Sequence, residues 1–331
     1  MIPGFRVLAS PLGGFALTLS GLTAGETAGA SCGRVRAMDL SGSPADRRRA
    51  TLVGAGAIGL WSSFALLTAF TQGLPPLETL ALCFAISGAA GLVLVALRGR
   101  GARAALWPGA GALGLGVTAF FVDHVLYFFA LKRAPVVEAS LINYLWPVFI
   151  VLFAALVPGA RLRAVHLVGV GLGFLAAWLL ATRGRAPEFS AAHTPGHLAA
   201  LGAALTWAAY SVLNRRHRSV PSGAMATVCF SVAVLGGLTH VLVERTVAPS
   251  AGQWLALALI GVGPMGASFW LWDHGTKHGE VAVLGILSFA TPLLSTLLLV
   301  AAGQARLHWT QPVAIALIAV GGLLGLGSLR R

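Results

Sequence analysis

Residues 130–156 read ALKRAPVVEASLINYLWPVFIVLFAAL. Lys132, Arg133 and Pro135 stand at one end, and beyond them Glu138 is the only charged residue. A helix that crosses a bilayer needs roughly 20 mainly apolar residues. The stretch is twice as long as a barrel strand and does not alternate, so a helix is the only spanning structure it fits. Working outward, the same pattern recurs from end to end. Ten such segments fall at about residues 50–71, 76–97, 108–131, 135–157, 164–182, 197–214, 224–243, 252–273, 280–301 and 311–329. The expected fold class is all-α integral membrane with ten transmembrane helices.

Composition agrees. Of 331 residues, 57% are hydrophobic and only 10% are charged. Soluble domains run near 45–50% apolar and about 25% charged. That excludes an ordinary soluble enzyme and a disordered chain. The 23 Lys and Arg against 10 Asp and Glu give a formal charge of +13. The basic residues sit singly or in short groups between apolar runs, as in cytoplasmic membrane loops, so no nucleic-acid partner is expected. Cys32, Cys83 and Cys229 are far apart and form neither a disulfide framework nor a metal spacing.

Residues 1–49 read as an N-terminal tail. A signal peptide fits poorly, because Pro11, Gly13 and Gly14 break its apolar run. Met38 is an alternative start, which would leave residues 1–37 outside the mature protein. With the N-terminus placed in the cytoplasm, the inner loops and ends carry 16 Lys and Arg and the outer loops carry 6. That bias predicts a multi-pass inner-membrane protein with both termini inside.

The two halves look related. A shift of 145 residues superimposes Lys132 on Lys277, Val136 on Val281, Pro147 on Pro292, and Ala160-Arg161-Leu162 on Ala305-Arg306-Leu307. Trp61 falls one residue out of register with Trp207. Five helices per half is an odd number, so the second copy must be inverted in the membrane. The expected division is a first five-helix repeat over 50–182, a linker over 183–196 and a second five-helix repeat over 197–331. Two inverted repeats are a common carrier architecture, with the binding site between them near the midplane.

Ala130–Leu156 resembles helix 4 of the drug/metabolite transporter superfamily in its EamA-type ten-helix group, and Phe269–Leu299 resembles the matching helix 8–9 unit. Asn143-Tyr144-Leu145-Trp146-Pro147, Trp272-Asp273 and Thr291-Pro292-Leu293-Leu294-Ser295 are similar to the YddG-like aromatic amino acid exporters within that group. The resemblance covers about residues 50–329. One departure is that Ala160-Arg161 and Ala305-Arg306 stand where the family often has Glu-Arg. The resemblance implies an inner-membrane transporter that exports aromatic and other neutral amino acids by alternating access of a central cavity. The alternative it leaves open is export of other small metabolites or lipophilic cations.

Gly54-Ala-Gly56-Ala-Ile-Gly59 and Gly109-Ala-Gly111-Ala-Leu-Gly114 match a dinucleotide-binding string, but neither has the strand or the acidic residue that such a site needs. Both read as small residues for close helix approach, as does Gly169-Val-Gly171-Leu-Gly173. The informative signal is a set of polar and aromatic faces. Trp207, Tyr210, Ser211 and Asn214 share one helical face, and so do Met265, Ser268, Phe269 and Trp272. Ser288, Thr291, Pro292 and Ser295 make a third, and Ser140, Asn143, Tyr144 and Pro147 a fourth, with Trp146 at its edge. Lipid offers such groups no partner, so the faces should look inward.

Aromatic walls with hydroxyls and amides suit a zwitterion or weak cation with an apolar or aromatic side chain. The expected substrate-binding residues are His124, Tyr127, Tyr144, Trp146, Trp207, Ser288 and Pro292. Tyr and Trp would stack on the side chain, while His124 and Ser288 would bond the polar end. Asp123 and His124 are ionisable inside a span and are candidates for proton coupling. Pro147 and Pro292 would break helix hydrogen bonding and let their helices bend. Asp273, His274, His278 and Glu280 read as interfacial polar residues, and Glu78, Glu138 and Glu244 as helix-end groups facing water. His274 and His278 are four apart, but a cation and a glycine lie between them, so no metal is expected. No cofactor and no catalytic residues are expected, since no nucleophile motif is present. The expected partners are a small-molecule substrate and the lipid bilayer, with the protein a monomer.

Overall fold

The computed structural model describes residues 43–156, 163–187 and 189–328. Among the described residues every regular element is helical, and ten helices are long and apolar enough to cross a membrane. They are α1 Pro44–Thr71, α2 Pro76–Leu97, α3 Ala110–Arg133, α4 Val136–Ala155, α5 Ala164–Thr182, α6 Ala191–His217, α7 Ser222–Val243, α8 Ala251–His278, α9 Val281–Ala301 and α10 Thr310–Gly327. Residues 1–42, with Cys32 and Met38, lie outside the described residues, and so does Ala160-Arg161-Leu162.

The apolar segments locate these helices to within a few residues, and the differences have local causes. Helix α1 begins at Pro44 because Ser43 and Asp46 cap each other's backbone and Pro44 fills the first helical position. The polar turns at both ends of α6 and at the end of α8 continue the helix beyond the apolar run. Hydropathy alone does not register such turns.

The two halves interlock by a single rule. Helix α2 packs along α7, α5 along α10, and α4 against α9, while α3 lies along α6 and α8 along α1. Replacing every helix by its counterpart five places away leaves this set unchanged. That invariance is a two-fold relation, and the odd helix count makes the two repeats inverted. The helix breaks obey it as well. Helix α4 is interrupted at Tyr144–Leu145 and α9 at Phe289. Pro147 and Pro292 lack an N–H, so the carbonyls of Asn143 and Ser288, four residues back, lose their helical donors. Tyr144 and Phe289 are equivalent under the 145-residue shift.

Small residues set the closest contacts. A Cβ on Gly54 would stand 2.8 Å from the Cα of Gly275, where α1 meets α8, and one on Gly169 would stand 3.2 Å from the carbonyl oxygen of Gly321, where α5 meets α10. Close approach does not account for every glycine in the motifs. Gly59, Gly114 and Gly171 have nothing within 4 Å of that position, and Gly109 precedes α3 at φ +81°.

Candidate functional site

Four tryptophans from both repeats meet at the centre of the bundle. Trp61 comes from α1, Trp146 from α4, Trp207 from α6 and Trp272 from α8. All their pairwise ring distances lie between 5.0 and 6.5 Å. Phe269 packs on Trp61 and Trp207, and Phe120 approaches Trp207 at 5.3 Å and Phe269 at 4.6 Å. Most of these contacts are tilted or edge-to-face, the geometry the ring quadrupole prefers, worth about 0.5–1.5 kcal/mol per pair beyond burial. The indole N–H of Trp272 donates to Ser211 Oγ at 3.1 Å, and Ser211 donates to the Trp207 carbonyl at 2.8 Å. The polar atoms of this face are therefore used to fix the rings.

From this cluster a polar patch runs toward the end of the bundle where α3 ends and α4 begins. The ring of His124 stands 5.2 Å from Phe84 and 6.5 Å from Phe269. Its Nδ1 lies 2.7 Å from the Phe120 carbonyl and 3.4 Å from Asp123 Oδ2. A carbonyl accepts only, so Nδ1 carries the proton and Nε2 is left as an acceptor in the neutral ring. Tyr127 Oη and Ser140 Oγ, from α3 and α4, are 3.4 Å apart. The side chains of Asp123 and His124 are 19% and 17% exposed.

At the other end of the bundle, charged side chains are buried and bonded. Lys277 Nζ bonds Asp273 Oδ2 at 2.9 Å and the Val220 carbonyl at 3.0 Å. Asn214 Nδ2 donates to Asp273 Oδ1 and to Thr276 Oγ1, each at 3.0 Å, tying α6 to α8. Asp273 and Lys277 are fully enclosed rather than interfacial. The 145-residue shift sharpens the contrast. Lys277 is the counterpart of Lys132, yet its side chain is 3% exposed and that of Lys132 is 63% exposed. Trp272 and Phe269, the counterparts of Tyr127 and His124, are buried where the latter two are partly exposed. Related positions are thus exposed in the first repeat and buried in the second.

The residues singled out from sequence divide between three places. Trp146 and Trp207 stand in the tryptophan cluster, and His124 borders it through Phe84 and Phe269. Tyr127 lies beside Ser140 in the polar patch. Tyr144 packs with Val148, Phe174 and Phe289 between α4, α5 and α9. Ser288 and Pro292 are buried on α9, and the Ser288 hydroxyl donates to the Leu284 carbonyl at 2.7 Å. Trp61, Phe84 and Phe120 were not singled out. Only Trp61 carried a signal, its near-match to Trp207 across the repeat.

The helix-end glutamates do not face water. Glu78 and Glu138 are buried, the Glu244 side chain is 9% exposed, and all three are bonded. Glu244 accepts from the backbone N–H groups of Leu77 and Glu78 at the start of α2, and from His240 at 3.0 Å, while Glu78 accepts from the Val247 N–H. A helix start leaves N–H groups without partners, and the Glu244 carboxylate caps that of α2 across the interface with α7. Hydrophobicity marks the three glutamates as chain-end charges, and only helix packing encloses them, α2 on α7 for Glu78 and Glu244 and α4 beside α6 for Glu138. His274 and His278 remain neighbours on α8, with ring centres 5.0 Å apart.

Ten helices in two interlocked inverted repeats around an aromatic centre, with a polar patch toward one end and a buried ion pair toward the other, define a membrane transporter of the inverted-repeat class. The chain belongs to the EamA-like transporter family, which it matches twice, over residues 49–182 and 194–326. It is 44% identical to the aromatic amino acid exporter YddG of Ancylobacter novellus, over 83% of this chain and 96% of that protein. It is 25% identical to the aromatic amino acid exporter YddG of Escherichia coli, over 86% of this chain and 99% of that one. A solved crystal structure superimposes with a TM-score of 0.82 at 42% identity, covering 86% of this chain and 99% of its own.

Proposed function

We propose that this transporter exports aromatic and other neutral amino acids across the bacterial inner membrane, by alternating access of a cavity centred on the tryptophan cluster. The observation that carries the reading is the meeting of Trp61, Trp146, Trp207 and Trp272, two from each repeat, at ring distances of 5.0–6.5 Å. Indole faces attract both an aromatic side chain and an ammonium group. His124, Tyr127, Tyr144, Trp146, Trp207, Ser288 and Pro292 are the proposed lining, with Nε2 of His124 free to accept from the substrate. The names of the similar exporters support the substrate class.

The contrast between Lys132 and Lys277 supports alternation. In an inverted repeat, exchanging the conformations of the two halves closes the open end and opens the closed one. The excess of basic residues in the connections α2–α3, α4–α5 and α6–α7 supports placing the start of α1 and the end of α10 on the cytoplasmic side. On that placement the patch of His124 and Tyr127 faces outward. We take the working unit to be a monomer, with its halves at 50–182 and 197–331 joined by 183–196. Asp123, beside His124, favours lipophilic cations as the alternative cargo, and Asp123 and His124 are the proposed coupling groups for protons.

Flux tests the reading. Purified protein in liposomes should move radiolabelled Phe, Trp, Leu and Thr above the rate of protein-free vesicles. Absence of amino acid flux from folded protein, together with flux of a lipophilic cation, would replace this reading with the alternative.

A further inference from the structure

A second cluster of chemically active side chains lies away from the tryptophans, where the outer ends of α4 and α6 meet. Glu138 is the third residue of α4, and His193 and His197 lie one turn apart at the start of α6. One ligand atom from each residue lies within 4.8 Å of the other two. Glu138 Oε2 is 2.7 Å from His197 Nε2 and 3.6 Å from His193 Nδ1.

An ordinary hydrogen bond explains only the contact between Glu138 and His197. It does not explain His193, whose Nδ1 is enclosed, points at the same carboxylate and has no hydrogen-bond partner. A buried ring nitrogen without a partner is costly. A shared cation would satisfy it, and would also compensate the Glu138 carboxylate, which is 6% exposed. Two imidazoles and a carboxylate are the donor set of open zinc-type sites, in which a fourth position is left for water. Bonds of about 2.0–2.2 Å in a tetrahedron place ligand atoms about 3.4 Å apart. The observed spacings bracket that value, so small side-chain rotations suffice. The His193 side chain is 36% exposed, which gives the ion an aqueous approach.

We propose that Glu138, His193 and His197 form a binding site for a single divalent d-block cation of the zinc type, which ties the outer end of α4 in the first repeat to α6 in the second. The site is separate from the proposed substrate path and does not depend on what that path carries. Its sequence signal was a His-x-x-x-His spacing at a loop–helix boundary, and the third ligand lies 55 residues earlier.

Full-length protein without a polyhistidine tag, treated with chelator and held in detergent, would be titrated with Co²⁺ and followed by visible absorption. The expected result is one Co²⁺ per chain with the intense bands of four-coordinate geometry, displaced by Zn²⁺. His193→Gln should weaken binding about tenfold or more. Nδ1 of His193 makes no hydrogen bond, and the backbone N–H bond of His193 to the Ser190 carbonyl survives the substitution, so this variant should fold and elute as wild type does. Glu138→Gln should weaken binding likewise, and Zn²⁺ should raise the Tm of wild-type protein but not of His193→Gln. Weak octahedral bands alone, or Co²⁺ affinity unchanged in His193→Gln, would overturn the proposal. The second result would leave Glu138 and His197 as a plain hydrogen-bonded pair, or would move the ion to His274 and His278.

Discussion

Replacing Asp273 by Asn should destabilise the protein far more than replacing both Asp273 and Lys277 with apolar residues. The two charges are 2.9 Å apart and fully enclosed. At an effective dielectric constant of about 20 their gross attraction is about 6 kcal/mol. Desolvation of each ion costs several kcal/mol, so the intact pair is close to neutral on balance. Removing one partner keeps the cost and loses the attraction. Asp273→Asn leaves the Lys277 ammonium buried with the Val220 carbonyl as its remaining strong acceptor. The expected loss is about 3–5 kcal/mol. The double variant Asp273→Leu/Lys277→Met removes both charges and should recover most of it. Asn214 keeps Thr276 as a partner in either background. Equilibrium unfolding in mixed micelles, with both single variants and the double, gives the coupling energy directly. A loss below about 1 kcal/mol in Asp273→Asn, or a double variant no more stable than the single ones, would refute an enclosed, mutually dependent ion pair.

Trp146→Ala and Trp207→Ala should each lower amino acid flux at least about tenfold, whereas Trp→Phe at the same sites should retain part of it; wild-type rates in both alanine variants would remove the tryptophan cluster from the substrate path. Gly173→Ala places a methyl group into the Phe289 ring and should cost about 1–3 kcal/mol in unfolding measurements. Gly171→Ala, which meets nothing within 4 Å, should be neutral or stabilising by up to about 1 kcal/mol through helix propensity. A pH gradient should accelerate flux in wild-type liposomes, and Asp123→Asn should abolish that acceleration while leaving gradient-free flux measurable; acceleration that persists in the variant would remove Asp123 from coupling.

The membrane spans and the repeat were legible in the sequence because both rest on long-range regularities. Twenty apolar residues must cross a bilayer, and the 145-residue shift relates Pro147 to Pro292 whatever surrounds them. The helix breaks at Tyr144 and Phe289 followed from the same two prolines. Burial of individual charges was not legible. Glu78, Glu138 and Glu244 look like water-facing ends until α7 and α6 are laid against them. Asp273 and Lys277 look interfacial because they follow an apolar run. Only the contact of α6 with α8, through Asn214, shows that the run continues into the interior. The tryptophan cluster was half legible. Trp146 and Trp207 stood on faces with hydroxyl and amide neighbours, whereas the positions three and four residues either side of Trp61 on α1 are all apolar. The glycine strings misled in part, since composition cannot tell Gly169, which touches Gly321, from Gly171, which touches nothing.

The central claim is that one cavity, lined by tryptophans of both repeats, opens to one side at a time. Counterflow in proteoliposomes tests it most directly. Vesicles loaded with unlabelled Phe and diluted into trace radiolabelled Phe should accumulate label transiently above equilibrium, because the loaded site returns faster than it would empty. Entry that rises only to equilibrium, unchanged by the unlabelled Phe inside, would contradict alternating access and describe an open path.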